Sequence, residues 1–462
     1  MGSPDIIEIL ERTRTGETCA VKDWDVRRIP RTVRSKLEKY RLANTCNPAN
    51  PVNTDDSLAD AFFQAGYELA LELGMLCETT ERIIKISEDE LASALKAAPS
   101  ELFVGSGKDG TLLKTRTPSD PYPMPFGASL GITVSEETWP ALTEGIARQR
   151  DVDLLEGGSL TTIHGRPVLP GTPFETLVGY EQGRAHREIR RRAGRPGMGG
   201  IGCISSVTEY GQLGGYGIPG AFLPTDLSLV LFPSELKVSY QALHKVVHTL
   251  NAEGYILAGS PAMIGGMPGP PEGAILSCIA CALLQYPVLH AHVGGGEIYD
   301  LRYLSNVNRD GLWALSVTHQ ALSRNTHILS HGIANEVSGP GTEALLLEIL
   351  VGVATIAVSG AALSTGPRSA GGKFTDYLTP LECKFCGEVG HAASGLSRAH
   401  VNEIANAILP RYEDQIKDPD KGQSVHETYD LKAMKPRPEW EAIYWKVKRE
   451  AIALGLPLDD RC

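Results

Sequence analysis

The sequence predicts an α/β protein, a closed (β/α)8 barrel of the TIM type, with an N-terminal helical extension and a C-terminal helix. Three observations carry this. From about residue 123, short apolar runs alternate with longer stretches of helical period, the pattern of parallel strands joined by right-handed crossovers. Six or more such units fall in one stretch, which suits a closed barrel better than an open sheet. Several strand ends run straight into glycine, at Gly259, Gly294 to Gly296, Gly332 and Gly366, and tight strand-to-helix turns are where a barrel keeps its active site.

Composition bounds the answer. The chain has 462 residues, 42% hydrophobic and 21% charged, which excludes a disordered chain. At ~150 residues per domain that length suits up to ~3 domains or one large barrel with extensions. Glycine is frequent, 49 residues, but no G-X-Y period exists, so collagen is excluded. The net charge of −11 argues against a nucleic-acid binder. The first thirty residues are rich in charge and hold no apolar signal core. The most apolar stretch, residues 344–358, contains Glu348 and is too short to span a bilayer comfortably. Nine scattered cysteines, an odd number in a long chain, favour a reducing cytoplasm over a disulfide framework.

The elements follow in order. Residues 1–120 read as a helical extension packed on the barrel. Apolar spacing predicts a helix from Ala59 to Gly74, and Ser87 with Glu90 forms a capping box before Leu91. Residues 121–410 read as the barrel. Predicted strands are 152–159, 200–206, 255–260, 287–293, 327–331 and 361–364. Predicted helices are 173–192, 235–251, 272–285, 311–322, 342–358 and 381–396. The first of these helices has Thr172 as N-cap and Pro173 at its first position. Residues 411–462 form a polar tail and a helix over 439–454, whose apolar side (Trp440, Ile443, Tyr444, Val447) docks on its own barrel or on a twin subunit.

Several motifs dissolve on their context. Gly197 to Gly202 fits GxGxxG by letter, but an Arg-rich helix precedes it and a strand follows, the reverse of a dinucleotide fingerprint. The glycines from Gly366 to Lys373 lack the spacing of a phosphate loop. Gly127-Ala128-Ser129-Leu130-Gly131 matches a nucleophile elbow, yet an extended Ile132-Thr133-Val134 follows where a helix is needed, so it reads as a glycine turn.

Other clusters keep two readings. Arg184, Arg187, Arg190, Arg191, Arg192 and Arg195 make either a solvated face paired with Glu181 and Glu188 or a docking patch for an acidic partner. Cys383, Cys386 and His391 have metal-like spacing, which tight helix packing explains equally well. His290 and His292 share a face of a predicted strand. With His331 and Cys203 they either gather around one pocket, as metal or substrate contacts, or pack in the core.

At Ala193-Gly-Arg-Pro-Gly-Met-Gly199 the chain resembles the monomethylamine:corrinoid protein methyltransferases of methylotrophic methanogens. The resemblance runs essentially end to end: Asp23-Trp24-Asp25, Phe103-Val104-Gly105, Glu235-Leu236-Lys237, Gly265-Gly266, Arg302 with Ser305 and Arg309, Gly339-Pro340, Gly387-Glu388-Val389 and Thr428-Tyr429-Asp430 all fit. It implies a (β/α)8 barrel that forms homo-oligomers, and a corrinoid carried by a separate partner protein. No Asp-x-His-x-x-Gly corrinoid loop occurs in this chain.

The departures shape the expected function. The family's pyrrolysine position falls on Ile201, which cannot form an adduct with an amine. The resemblance places the family's amine-handling carboxylates on Leu229 and Gly259, and its Gln and Tyr neighbours on Ile333 and Asn335. Two routes to methyl transfer remain. A quaternary ammonium or sulfonium substrate leaves as a neutral group and needs only a cation-tolerant pocket, with Tyr299, Glu297 and Glu336 near the predicted strand ends and Ser260 beside Gly259. Arg302 then holds a substrate carboxylate or serves the fold. Alternatively zinc, on Cys203, His292 and His331, activates an oxygen or sulfur leaving group of a methoxy or methylthio compound. The first route is preferred. The partner corrinoid protein is expected to dock near Arg184, Arg187 and Arg191. A barrel that binds a small ligand without catalysis is the alternative from a different class.

Overall fold

The structure, a computed structural model, describes residues 3–460 apart from Leu130, Cys203, Ile204, Ser206, Val207 and Phe232. Eight parallel strands close into a barrel. They are β1 (Phe126–Ala128), β2 (Leu154–Leu155), β3 (Gly199–Gly202), β4 (Leu227–Leu231), β5 (Tyr255–Gly259), β6 (Val293–Gly295), β7 (Leu329–Ile333) and β8 (Leu363–Thr365). Each is followed by a helix: α1 (Trp139–Ala147), α2 (Pro173–Arg192), α3 (Tyr210–Gly215), α4 (Tyr240–Asn251), α5 (Pro271–Leu289), α6 (Arg309–Asn325), α7 (Glu343–Val358) and α8 (Pro380–Ala393). The ring closes where Thr365 of β8 pairs with Gly127 of β1 and Gly127 pairs with Leu154 of β2.

This is the expected architecture, with two strands added. β1 overlaps the start of the stretch read as a glycine turn. Its Gly127 is a packing requirement, since a Cβ there would meet the Ile201 and Thr365 side chains at 3.1 Å. β4 is a run of five residues, and its first four are buried. One predicted strand is corrected. Residues 287–289 belong to α5, which is buried on every side, so the apolar run carries no helical stripe to distinguish it from a strand. His290 ends that helix in the left-handed conformation, and β6 starts only at Val293.

The barrel bore is apolar. Leu154, Ile201, Leu227, Leu229, Leu257, Val293, Leu329 and Leu363 form one cluster, closed from below by Leu102, Val104 and Leu113. Those last three come from an antiparallel hairpin, Glu101–Val104 with Thr111–Lys114, in a region expected to be helical throughout. The hairpin stoppers the N-terminal end of the barrel and leaves the C-terminal end as the mouth.

The N-terminal helix Asp56–Leu73 lies on α5 and α6. Gly66 allows the close approach, because a Cβ there would come within 2.6 Å of Ile279. The capping box of Ser87 and Glu90 forms as expected. The last helix, Pro438–Ala453, docks on its own barrel. Trp440 donates to Thr379 at 3.1 Å, and Lys448 pairs with Glu388 of α8 at 2.7 Å. Among the described residues one helix, α5, is long and apolar enough to cross a membrane, and it is buried inside the protein along its length. The seven described cysteines are free thiols.

Candidate active site at the barrel mouth

The strand ends enclose a small chamber with about 10 Å³ of accessible space, room for about one water. Its walls are Ile201, Leu229, Leu231, Leu257, Gly259, Gly296 and Ile333, and its polar groups are Glu156, Glu297, His331 and Thr365. Above it lies a cleft of about 520 Å³. Leu231 and Glu297 line both spaces, so they form the threshold between them. The cleft adds Ser260, Pro261, Met263, Tyr299, Leu301, Leu304, Arg368 and Lys373.

Glu156, directly after β2, is fully buried. Neither carboxylate oxygen has a hydrogen-bond partner among the described residues. Burial pushes its carboxyl well above the usual carboxylate range, and the neighbouring Glu297 adds to the rise. Glu297 leads a short strand, Glu297–Asp300, that pairs with Pro261–Ile264 and lifts the rim on this side. Burial raises its carboxyl too, opposed by Tyr299, Arg368 and Asn335. The Asn335 amide reaches Glu297 at 3.5 Å. The chamber therefore holds two carboxyl groups and no cationic side chain, an arrangement costly to ionise unless a positive charge enters.

His331 shares a 2.8 Å hydrogen bond with Thr365. Burial depresses its pKa to about 3, so the ring is neutral. In the cleft, Arg368 lies over the Tyr299 ring and donates to its hydroxyl at 2.6 Å. Glu336 holds the backbone beneath: its carboxylate accepts the Arg368 amide at 2.9 Å, and its carbonyl accepts that of Gly371.

The other expected residues divide as follows. Ile201, Leu229, Gly259 and Ile333 line the chamber, and Ser260 and Tyr299 line the cleft. His292 does not join His331. It precedes β6 at the base of the barrel, where its ring accepts the Ile256 amide at 3.2 Å. Cys203 lies outside the described residues, and the two histidines of the expected zinc trio sit at opposite ends of the barrel, His292 at the base and His331 in the mouth chamber. Cys383, Cys386 and His391 also fail as a metal set. The two thiols are buried in α8, and His391 is engaged by Asp153 at 2.8 Å. Among the described residues no group of His, Cys, Asp and Glu could hold a metal. Arg302 is bound to Asp300 and Asp310, which makes it a brace of the rim rather than a ligand contact.

The arginine run lies away from the mouth. Helix α2 runs antiparallel to the strands, so its C-terminal turn sits at the base, opposite the mouth. There Arg190 forms a buried ion pair with Asp226 at 2.7 Å, Arg191 pairs with Glu188, and Arg195 gathers the carbonyls of Ala147, Gln149 and Val152.

Sequence reading missed Glu156, Thr365 and Arg368. Glu156 had a usable signal, as the first charged residue after an apolar strand in a barrel of this kind.

Comparison with known proteins agrees with this geometry. The family model of the monomethylamine methyltransferase MtmB matches residues 4–456. A monomethylamine methyltransferase MtmB of Methanosarcina mazei is 30% identical over 455 residues, 98% of each chain. MtmB2 of Methanosarcina acetivorans is 29% identical over the same length and coverage. The crystal structure of the Methanosarcina barkeri monomethylamine methyltransferase (MtmB) superposes with a TM-score of 0.93 at 28% identity, over 98% of this chain and 99% of that one. A hydroxylamine complex of MtmB matches equally well. A family match spanning nearly every residue, on a barrel whose mouth holds the chamber, leaves one conclusion: this chain belongs to the monomethylamine methyltransferase MtmB family and is a methyltransferase.

Proposed function

We propose that this barrel transfers a methyl group from a small methylated ammonium compound, a quaternary amine foremost, to the reduced corrinoid of a separate partner protein. The observation that carries the reading is Glu156, a buried carboxyl with no partner among the described residues, facing a second carboxyl across an apolar chamber. Such a pair is short of one positive charge. A methylated nitrogen supplies it from the threshold, where Glu297 lines both spaces; the chamber has room for about one water, so the methylated head itself stays in the cleft of about 520 Å³.

Residues of this chain bind, orient and exclude water. On entry of the cation, Glu156 gives up its proton to solvent and becomes the counter-charge. Glu297, at the threshold, fixes the nitrogen so that one methyl points away from the chamber. The aliphatic side chain at 201, where the resemblance puts pyrrolysine, closes the floor and forms no bond to the substrate. The corrinoid, when the partner presents it, supplies the Co(I) nucleophile that takes the methyl. The amine departs neutral and requires no acid. The chamber is far too small for a corrin, and a wide cleft with apolar walls above a buried cation site fits a cofactor that arrives from outside.

The test is direct. Purified protein and a reduced corrinoid protein are mixed with methylated ammonium, sulfonium, thioether and methoxy compounds, and loss of the Co(I) absorbance is followed. Transfer from a methylated ammonium compound supports the reading. Transfer from methoxy or thioether donors alone contradicts it, and no transfer from any donor favours a binding protein.

A further inference from the structure

The charges at the mouth are not merely negative; they are ordered. The two carboxyls, Glu156 and Glu297, face the inner chamber. Arg368 and Lys373 line the cleft immediately outside. The Arg368 Nε is buried without an acceptor among the described residues, while one of its other nitrogens is spent on Tyr299. Its backbone is pinned by Glu336, so the guanidinium is carried on a braced loop rather than a free one. An unpartnered buried carboxylate below and an unpartnered buried guanidinium nitrogen above are two halves of one recognition pattern.

Resting on the reading of the two carboxyls as a cation site, we infer that the methyl donor is a zwitterion, a methylated ammonium compound that also bears a carboxylate, held in the cleft with the nitrogen at the Glu297 threshold above Glu156 and the carboxylate on Arg368. Charge order favours this over a simple cation. The mouth sets cationic side chains outside and carboxyls inside, and a dipolar ligand meets both, whereas a plain cation must pass a positive rim. A guanidinium also suits the acid geometrically, since it offers parallel N–H donors to the two oxygens. Arg302, the arginine that sequence favours for this task, is already taken by Asp300 and Asp310.

Calorimetric titration of the intact protein tests the inference without the corrinoid partner. The probes are trimethylammonio-carboxylates with one to four methylenes between nitrogen and acid, each paired with the trimethylalkylammonium ion of matched length. At least one carboxylate is expected to bind tenfold or more tightly than its matched cation. Arg368→Gln should shrink that gap below threefold and Arg368→Lys should keep part of it, while Glu156→Gln weakens both series. Equal binding of acids and cations by the wild-type protein overturns the zwitterion inference and leaves the cation site standing. Failure of both series to bind removes the cation site and the inference together. An unchanged gap between acids and cations in Arg368→Gln also overturns it.

Discussion

Glu156 contributes nothing visible to the fold: it is buried, unpartnered among the described residues and held protonated by its surroundings. Replacing it by glutamine keeps the shape and removes the latent charge. Glu156→Gln is therefore expected to change unfolding free energy by less than about 1 kcal/mol in chemical denaturation below about pH 4.5, where folded and unfolded states both hold a neutral group, and to become stabilising as pH rises. Three further buried carboxyls brace the loops at the mouth. Burial raises Glu336 to about 8, and Glu348 and Glu382 to about 7, from the ordinary 4.5. Each binds its proton more tightly folded than unfolded. Their contribution is complete below about pH 4.5 and is lost as pH rises toward 8. Thermal stability of the wild type should carry this fall between pH 5 and 8, and Glu336→Gln should flatten it, each retained proton being worth about 1.4 kcal/mol per pH unit. An unchanged pH slope in the variant would contradict the assignment. Such roles are hard to find by sequence. The sequence offers Glu336 as a cation contact and Glu348 as a charge in an apolar stretch, and only the fold shows both bracing loops.

At the scale of elements, sequence reading succeeds where periodicity and capping act locally. Helix α2 is found at its true ends because Thr172 and Pro173 start it, and its polar face repeats at helical spacing. It fails where burial is uniform. Helix α5 has no polar stripe, so its last turn reads as a strand and carries His290 and His292 to the wrong place. Short strands suffer likewise: β1 has three residues, one of them a glycine demanded by contacts from β3 and β8 that no local pattern reveals. The Arg184 to Arg195 run shows how a charge count misleads, since part of it is internal. Arg190 and Asp226 tie α2 to the entry of β4, and Asp226 also accepts the Gly200 amide at 2.7 Å. Asp226→Ala should cost about 3–5 kcal/mol of stability by leaving a buried guanidinium unpaired. A loss below 1 kcal/mol in denaturant titration would show that the pair is not structural.

For the whole molecule, the barrel separates its faces. The hairpin of residues 101–114 plugs the base, where the arginines gather, and the mouth is ringed by exposed apolar side chains, with Leu231, Leu301 and Leu304 each 43–50% exposed. A partner that must reach the chamber meets the second face. Leu304→Asp is expected to weaken binding of the corrinoid protein tenfold or more in surface plasmon resonance, whereas Arg187→Glu leaves it within twofold. The reverse ranking would return docking to the base. The family and its barrel are readable from short motifs kept in order along the chain; of the proposed cation site the sequence offers Glu297 and Tyr299 but not Glu156, which is far from Glu297 in sequence and meets it only when the ring closes. Its central claim is best tested by single-turnover methyl transfer from a methylated ammonium donor to a Co(I) corrinoid protein, comparing wild type with Glu156→Gln. The account predicts at least a hundredfold slower transfer in the variant at equal donor concentration, with folding intact. Transfer at the wild-type rate would contradict it.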